Sequence, residues 1–340
     1  MAVAFVTGGS GFVGGALVRR LVAGGWRVRA LARSQAAAEA VTRAGAEPVT
    51  GDLADVDALA AGAAGAGVAF HCAAFVRQWG TRAEYLRANV TGTRNVIEAC
   101  QRAGVPRLVH VGSEAAMLAG QPLRDIDEDT LLRPDSASLY CATKAMAELA
   151  VRAANGDGLR TVVVRPRLVW GPGDTTILPA LVEAVRRGRF RWVGPGTHAT
   201  STTHVDNAVH GLVLAAEAAD PGPSYFVTDG PPAVFREFIG QLLATAGVAA
   251  PDRSVPPAAA RIAAVVAESA WRVLRLPGAP PITRTAVWLS SLECTVDTGR
   301  AERELGYRPV VTRVEGLAAL GASRETPGSA GTRPEPHSRP

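Results

Sequence analysis

The sequence predicts an α/β fold on a doubly wound parallel sheet, with a smaller substrate-binding region towards the C-terminus. Three observations carry this. Short Val- and Ala-rich runs alternate with helical stretches up to about residue 165, the rhythm of a sheet covered on both faces. A glycine-rich turn separates the first run from the first helix. After Arg165 the rhythm gives way to loops, Pro-bounded segments and isolated helices.

Taken in order, strands are predicted over residues 2–7, 27–32, 46–50, 67–71, 107–111 and 161–165. The clearest helical patterns run over 12–23, 85–103 and 138–153. Past the loop Gly171-Pro172-Gly173-Asp174, helices are expected over 177–188, 204–218 and 235–246, with strand-like runs at 189–193 and 224–228. Residues 200–230 are expected to complete the sheet. The stretch 251–292 is apolar and Pro-punctuated; its helix near 258–274 reads as a lid or as a packing helix. Residues 321–340 are Gly, Ser, Pro, Arg and Glu with almost no apolar content, and read as a disordered tail.

Composition narrows the function classes. The 340 residues are 47% apolar and 20% charged, which excludes a mostly disordered chain. The 36 basic and 31 acidic residues leave a net charge of +5. That excess is spread out, with no dense basic run interleaved with aromatics, so no nucleic-acid partner is expected. Cys72, Cys100, Cys141 and Cys294 show neither CxxC nor finger spacing, so neither a metal nor a disulfide framework is expected, and a reducing cytoplasm is. The N-terminus reads straight into a strand without a signal-peptide pattern. Residues 258–267 are the nearest approach to a membrane span, and Arg261 interrupts them; no integral span is expected. One count stands out. Of the 36 basic residues only Lys144 is a lysine.

The strongest local signal is Thr7-Gly8-Gly9-Ser10-Gly11-Phe12-Val13-Gly14. Gly8, Gly11 and Gly14 follow a strand and open a helix. A pyrophosphate needs this arrangement: a tight turn, close backbone approach, and the unpaired N–H groups of a helix start. Gly14 lets helix and strand pack closely. The pattern implies a Rossmann-type dinucleotide site. The second strand ends Leu31-Ala32-Arg33-Ser34, without the carboxylate that would hold the adenosine ribose of NAD. Arg33 suits a 2′-phosphate instead, so NADP is expected over NAD; its plain alternative is an ordinary surface arginine.

From here the chain resembles the extended short-chain dehydrogenase/reductase family. The residues that carry the likeness occur in family order over about 1–320. They are the glycine loop; Gly51-Asp52-Leu53 after the third strand; His71-Cys72-Ala73-Ala74 after the fourth; Asn89-Val90-Thr91-Gly92-Thr93; Ser113 closing the fifth; Tyr140-Cys141-Ala142-Thr143-Lys144; and Arg165-Pro166 closing the sixth. The resemblance implies that Gly8, Gly11, Phe12, Val13, Gly14, Arg33, Asp52, Leu53, Ala73, Ala74, Asn89, Tyr140, Lys144 and Pro166 hold the cofactor. It implies Ser113, Tyr140 and Lys144 as catalytic residues. Residues 1–170 become the cofactor domain; 171–200 and 222–320 become the substrate-binding region.

The lone lysine falls on the lysine of the Tyr-x-x-x-Lys motif. A compact ammonium can reach a ribose and lower a neighbouring phenol pKa where a guanidinium serves poorly. Tyr140 and Lys144 are i and i+4 on one helix face. Tyr140 then acts as general acid/base, and Ser113 binds the substrate oxygen. Cys141 points away and reads as packing.

The family's dehydratases carry an Asp-Glu pair after the serine; here the residues are Glu114 and Ala115. Its nucleotide-sugar enzymes carry an asparagine where this chain has Leu168. The look is closest to the 3β-hydroxysteroid and sterol dehydrogenase branch, through Val169-Trp170-Gly171-Pro172-Gly173-Asp174 and His204-Val205-Asp206-Asn207. The expectation is an oxidoreductase interconverting an apolar secondary alcohol and a ketone. A nucleotide-sugar epimerase and a non-catalytic NADP-binding regulator are the alternatives. His204 is expected to be structural, and Asp206 and Asn207 to cap a helix and brace the junction. A homodimer through the helices at 85–103 and 138–153 is implied by the resemblance alone.

Overall fold

In the computed structural model the chain is described over residues 2–220 and 222–325. The first half runs β1 (Val3–Thr7), α1 (Phe12–Ala23), β2 (Arg27–Ala32), α2 (Gln35–Arg43), β3 (Glu47–Thr50), α3 (Val56–Ala63), β4 (Val68–His71) and α4 (Arg82–Tyr85). A π-turn over Leu86–Thr91 leads into α5 (Gly92–Arg102), β5 (Arg107–Val111), β6 (Leu123–Ile126), α6 (Leu139–Ala153) and β7 (Arg160–Pro166). Then come β8 (Val169–Trp170), α7 (Ile177–Arg186), β9 (Trp192–Val193), β10 (Ala199–Thr200), β11 (Thr203–His204), α8 (Val205–Glu217) and β12 (Ser224–Val227). The chain continues through β13 (Ala233–Val234), α9 (Phe235–Thr245), β14 (Ser254–Val255), α10 (Pro257–Val273), α11 (Arg284–Ser291), β15 (Cys294–Val296), α12 (Gly299–Glu304) and α13 (Arg313–Glu325).

Seven parallel strands form the main sheet, in the order β12-β7-β5-β4-β1-β2-β3. Val, Ala and Phe dominate the central strands because both faces are covered. On one face Val6, Phe70, Val109 and Val164 pack against Leu17 and Leu21 of α1 and Leu212 of α8. On the other, Phe5, Ala69, Leu108 and Val163 pack against Leu59 of α3, Val96 of α5 and Val151 of α6. The strand from residues 200–230 does join this sheet, as β12 beside β7.

Four short strands, β13-β10-β15-β6, make a second sheet that the sequence reading did not contain. Each has only two to four residues, too few for an alternation to register. The helix expected over 85–103 starts earlier and is not regular. Thr81 and Glu84 form a capping box that opens α4, and the π-turn interrupts the helix before Gly92. The expected strand at 189–193 contracts to β9. α8 is capped by His204, whose Nδ1 accepts from the Asp206 N–H at 3.3 Å, not by Asp206 or Asn207. Asn207 does brace distant segments. Its Oδ1 accepts from Val310 and Val311 N–H, and its Nδ2 donates to Asp229. α13 continues to Glu325, so the first five residues of the expected tail are helical; its remainder lies outside the described residues.

Candidate active site

The site assembles at the carboxyl ends of β1, β4, β5 and β7, beside the point where strand order reverses. Gly8 takes φ +73°, and a Cβ there would stand 2.6 Å from the Ala73 nitrogen. A Cβ on Gly14 would stand 2.2 Å from the Gly8 oxygen. The glycine loop is thus pressed against the loop after β4, and neither position accepts a side chain. Gly11 is the N-cap of α1 and supplies no side-chain cap, leaving the first-turn N–H groups to an anion. These residues fit a dinucleotide pyrophosphate. Phe12 and Val13 stand half-buried in that first turn.

Ala32 and Thr50 are partners in the β2–β3 register, so Arg33 and Asp52 project from neighbouring strand ends. Arg33 is exposed, just before Ser34 caps α2. The Asp52 carboxylate accepts from Ala54 N–H at 2.7 Å, and the Leu53 carbonyl accepts from Asn95 Nδ2 at 2.7 Å. The loop after β3 is thereby tied to α5 through Leu53. Ala73 and Ala74 are half-buried beside the glycine loop, and Pro166 is buried at the end of β7.

Asn89 sits in the π-turn, 2% exposed. Its Oδ1 accepts from Phe75 N–H at 2.6 Å, and its Nδ2 donates to Thr143 Oγ1 at 3.1 Å. It pins the loop after β4 to the helix that carries Tyr140. π-Turns inside helices recur at functional positions, and here the bulge directs the amide.

Ser138 caps α6, and Tyr140 and Lys144 follow one turn apart. Lys144 is buried, and its Nζ donates to the Val111 carbonyl at the end of β5 at 2.7 Å. Burial pushes this ammonium down to about 8, against the opposing pull of Glu148 and Glu114. Burial, then the negative charge of Glu114, hold the Tyr140 phenol above its ordinary value; its hydrogen bond with Ser113 pulls the other way. Here the phenol is raised, and the Lys144 ammonium donates to the Val111 carbonyl.

Ser113 Oγ donates to Glu114 Oε2 at 2.7 Å, and Glu114 Oε1 accepts from Arg167 Nη1 at 2.9 Å. Glu148, one turn beyond Lys144, receives Arg165 Nε on both oxygens at 3.1 Å. Both ion pairs are buried. The sequence reading used Glu114 only as half of a missing pair and gave Glu148 and Arg167 no role. A carboxylate four residues after the lysine was the available signal for Glu148. Leu168 adopts φ +45° and packs with Trp170, Val182 and Phe238, in apolar surroundings.

A small cleft of about 10 Å³, open to solvent, lies beside Tyr140. Trp79, Tyr85 and Ser138 line it, and α10 adds Glu268 and Arg272. The helix expected near 258–274 meets this cleft only through these two polar side chains. Its buried stripe is Ala260, Ala264 and Glu268, while Ile262, Val265 and Val266 are exposed. Among the described residues no group of three or more His, Cys, Asp or Glu could hold a metal, and no helix is long and apolar enough to cross a membrane.

A parallel sheet with a glycine cradle at its switch point and a Tyr-x-x-x-Lys helix beside it defines an oxidoreductase of the extended short-chain dehydrogenase/reductase type, dependent on NAD(P). The chain belongs to the 3-beta hydroxysteroid dehydrogenase/isomerase family, whose model matches residues 5–257. It is 46% identical to the 4-hydroxy-2-methyl-3-oxo-4-farnesyl-3,4-dihydroquinoline-1-oxide ketoreductase of Stigmatella aurantiaca, over 98% of each chain. It is 40% identical to the 2-alkyl-3-oxoalkanoate reductase of Stenotrophomonas maltophilia, over 94% of this chain and 98% of that one. Among solved structures it resembles the dTDP-glucose 4,6-dehydratase DesIV of Streptomyces venezuelae, seen with NAD bound. The TM-score is 0.74 at 26% identity, over 95% of this chain and 97% of that one.

Proposed function

We propose that this protein is an NADP-preferring ketoreductase in which Tyr140 exchanges the proton and Lys144 and Ser113 position the reacting groups. The observation that carries this is the placement of Tyr140. It lines the cleft, while the buried Lys144 one turn away is anchored at the end of β5, two strands from the glycine cradle. When bound, the dinucleotide supplies or accepts the hydride. In reduction the Tyr140 hydroxyl gives its proton to the carbonyl oxygen as the carbon becomes a secondary alcohol. The raised phenol keeps that proton in place at neutral pH. Ser113 holds the oxygen by turning towards it the proton that it gives Glu114 in this structure.

Two relatives are named as reductases of 3-oxo compounds that carry a farnesyl or an alkyl group. This supports a ketone beside an apolar chain and moves the reading from a 3β-hydroxysteroid towards 3-oxo reduction. The apolar surroundings of Leu168 give a nucleotide sugar no polar partner at that position. Arg33, exposed at the end of β2, is the residue proposed to select NADP. The same proposal divides the labour between residues 1–170 with β12 for the cofactor, and 171–200 with 222–320 for the substrate. It pairs two copies through α5 and α6. It places the protein in the cytoplasm, where four free thiols, pushed by burial up to about 12, stay reduced.

The test follows nicotinamide absorbance with NADP and NAD in turn, against 3-oxo compounds, hydroxysteroids and simpler secondary alcohols. Tyrosine-dependent turnover with NADP is expected, with Tyr140→Phe inactive yet still binding the dinucleotide. Unchanged turnover in Tyr140→Phe removes the mechanism.

A further inference from the structure

We propose that Arg272 is the specificity residue of the reaction pocket and pairs with a carboxylate carried by the substrate near its reacting oxygen. This rests on Tyr140 as the proton donor, and it names the compound class: an oxo or hydroxy acid with an apolar chain.

α10 is attached to the fold by small residues. Ala260 and Ala264 sit among Val193, Val255, Ile282 and Val287, and Glu268 follows on the same i, i+4 stripe. A buried carboxylate needs partners. Glu268 has them: Arg284 gives its backbone N–H to Oε1 at 2.7 Å and its Nε–H to Oε2 at 2.8 Å. That pairing leaves Arg272 unmatched. Its Nη2 stands 3.9 Å from Glu268 Oε2, beyond hydrogen-bond reach. Its guanidinium lies over the Trp79 ring, 5.3 Å from the centroid. Stacking of this kind fixes the guanidinium plane and leaves the donors on its edge open.

The three groups, two guanidiniums less one carboxylate, sum to one positive charge. The nearest further carboxylate, Glu84 of α4, is itself offset by Arg87 and Arg77. The cleft wall that carries Tyr140 therefore also carries an unneutralised cation with a planar fork. A fork of this shape binds a carboxylate bidentately. Trp79, half-buried beneath the guanidinium, is the apolar surface beside the fork, while Tyr85 is buried. A purely hydrocarbon ligand would desolvate the half-exposed guanidinium without pairing it, at a net cost.

The probes are 3-hydroxydodecanoate and its methyl ester, which share the chain and reacting carbon and differ in charge. Initial oxidation rates with NADP are measured for the wild-type protein, Arg272→Gln and Arg272→Lys. Binding of both probes to the Tyr140→Phe protein, loaded with NADP, is measured by calorimetry, with and without Arg272→Gln. The wild-type protein is expected to favour the acid by about tenfold or more in kcat/KM, chiefly through KM, as a charge-assisted pair requires. Arg272→Gln should erase that preference and leave the ester within about twofold, since the side chain is half-exposed and only loosely paired with Glu268; Arg272→Lys should restore part of it. Equal handling of acid and ester by the wild-type protein, an equal loss on both in Arg272→Gln, or no binding of either probe overturns the assignment. Arg272-dependent binding of the acid without turnover upholds it and removes the reading of Tyr140 as proton donor to this class instead.

Discussion

Arg167 Nη1 and Glu114 Oε1 meet at 2.9 Å with side chains 2% and 4% exposed, directly behind Ser113. The pair fastens the residue after the proposed catalytic serine to the residue after Pro166. It therefore joins the ends of β5 and β7. Ser113 spends its own proton on the same carboxylate at 2.7 Å, so Glu114 sets the rotamer of the serine.

Replacing Glu114 by Gln removes one partner of this pair and leaves a buried guanidinium uncompensated. Such losses cost about 3–5 kcal/mol. The amide retains a hydrogen bond, so the lower end of that range is expected in urea unfolding. The kinetic effect has a definite sign. Glu114 raises the phenol, so its neutralisation should move the alkaline limb of the reductive pH–rate profile to lower pH. A limb that stays in place would separate Glu114 from the proton donor.

Gly14→Ala tests the cradle. The new Cβ would fall 2.2 Å from the Gly8 oxygen, and backbone cannot yield as a side-chain tip can. The loop must shift, and dinucleotide affinity should fall about tenfold or more, ~1.4 kcal/mol, in a fluorescence titration. Undiminished affinity would show that the loop does not seat the pyrophosphate.

Arg33→Ala addresses cofactor choice. Arg33 is exposed and enters no ion pair among the described residues, so its removal should spare folding. A guanidinium on a 2′-phosphate forms a charge-assisted pair worth about 1.5–3 kcal/mol. NADP affinity should drop about tenfold or more while NAD affinity holds. A parallel fall in both would assign Arg33 to the adenosine or the loop, not to the phosphate.

Much of this was legible in the sequence where physics leaves few choices. Arg27–Ala32 and Arg107–Val111 are buried parallel strands whose Val and Leu content marks them without help from partners. Gly8 and Gly14 announce themselves because no other residue fits. The second sheet was not legible, because Ala199–Thr200 and Cys294–Val296 become strands only through partners from distant segments of the chain. Nor was the polar wall of the pocket. Glu268 and Arg272 stand in an alanine- and valine-rich helix that reads as core, and their role depends on Arg284 and Trp79 arriving from other segments.

The buried histidines of β4 and β5 give the last prediction. His71 and His110 are cross-strand partners with ring centroids 5.1 Å apart. His71 is held between two hydroxyls, with Nδ1 2.7 Å from Thr7 Oγ1 and Nε2 3.0 Å from Thr93 Oγ1. Thr93 donates its proton to the Asn89 carbonyl, so it accepts from Nε2–H, and Nδ1 accepts from Thr7. The network is satisfied only by a neutral ring. Burial, then Lys144, push His71 down to about 3, and the same causes push His110 well below its usual value. Both folded values lie below the unfolded one of about 6.5, so below that pH the unfolded chain binds more protons. Stability is complete above about pH 6.5 and drains as pH falls, by up to ~1.4 kcal/mol per pH unit for each histidine. Neither nitrogen of His110 has a hydrogen-bond partner among the described residues, so His110→Leu sacrifices none. At pH 7 that variant should unfold in urea no earlier than the wild-type protein, and its stability should fall less steeply between pH 6.5 and 5. A slope as steep as the wild-type one would mean that His110 does not resist protonation, and that acid sensitivity arises elsewhere.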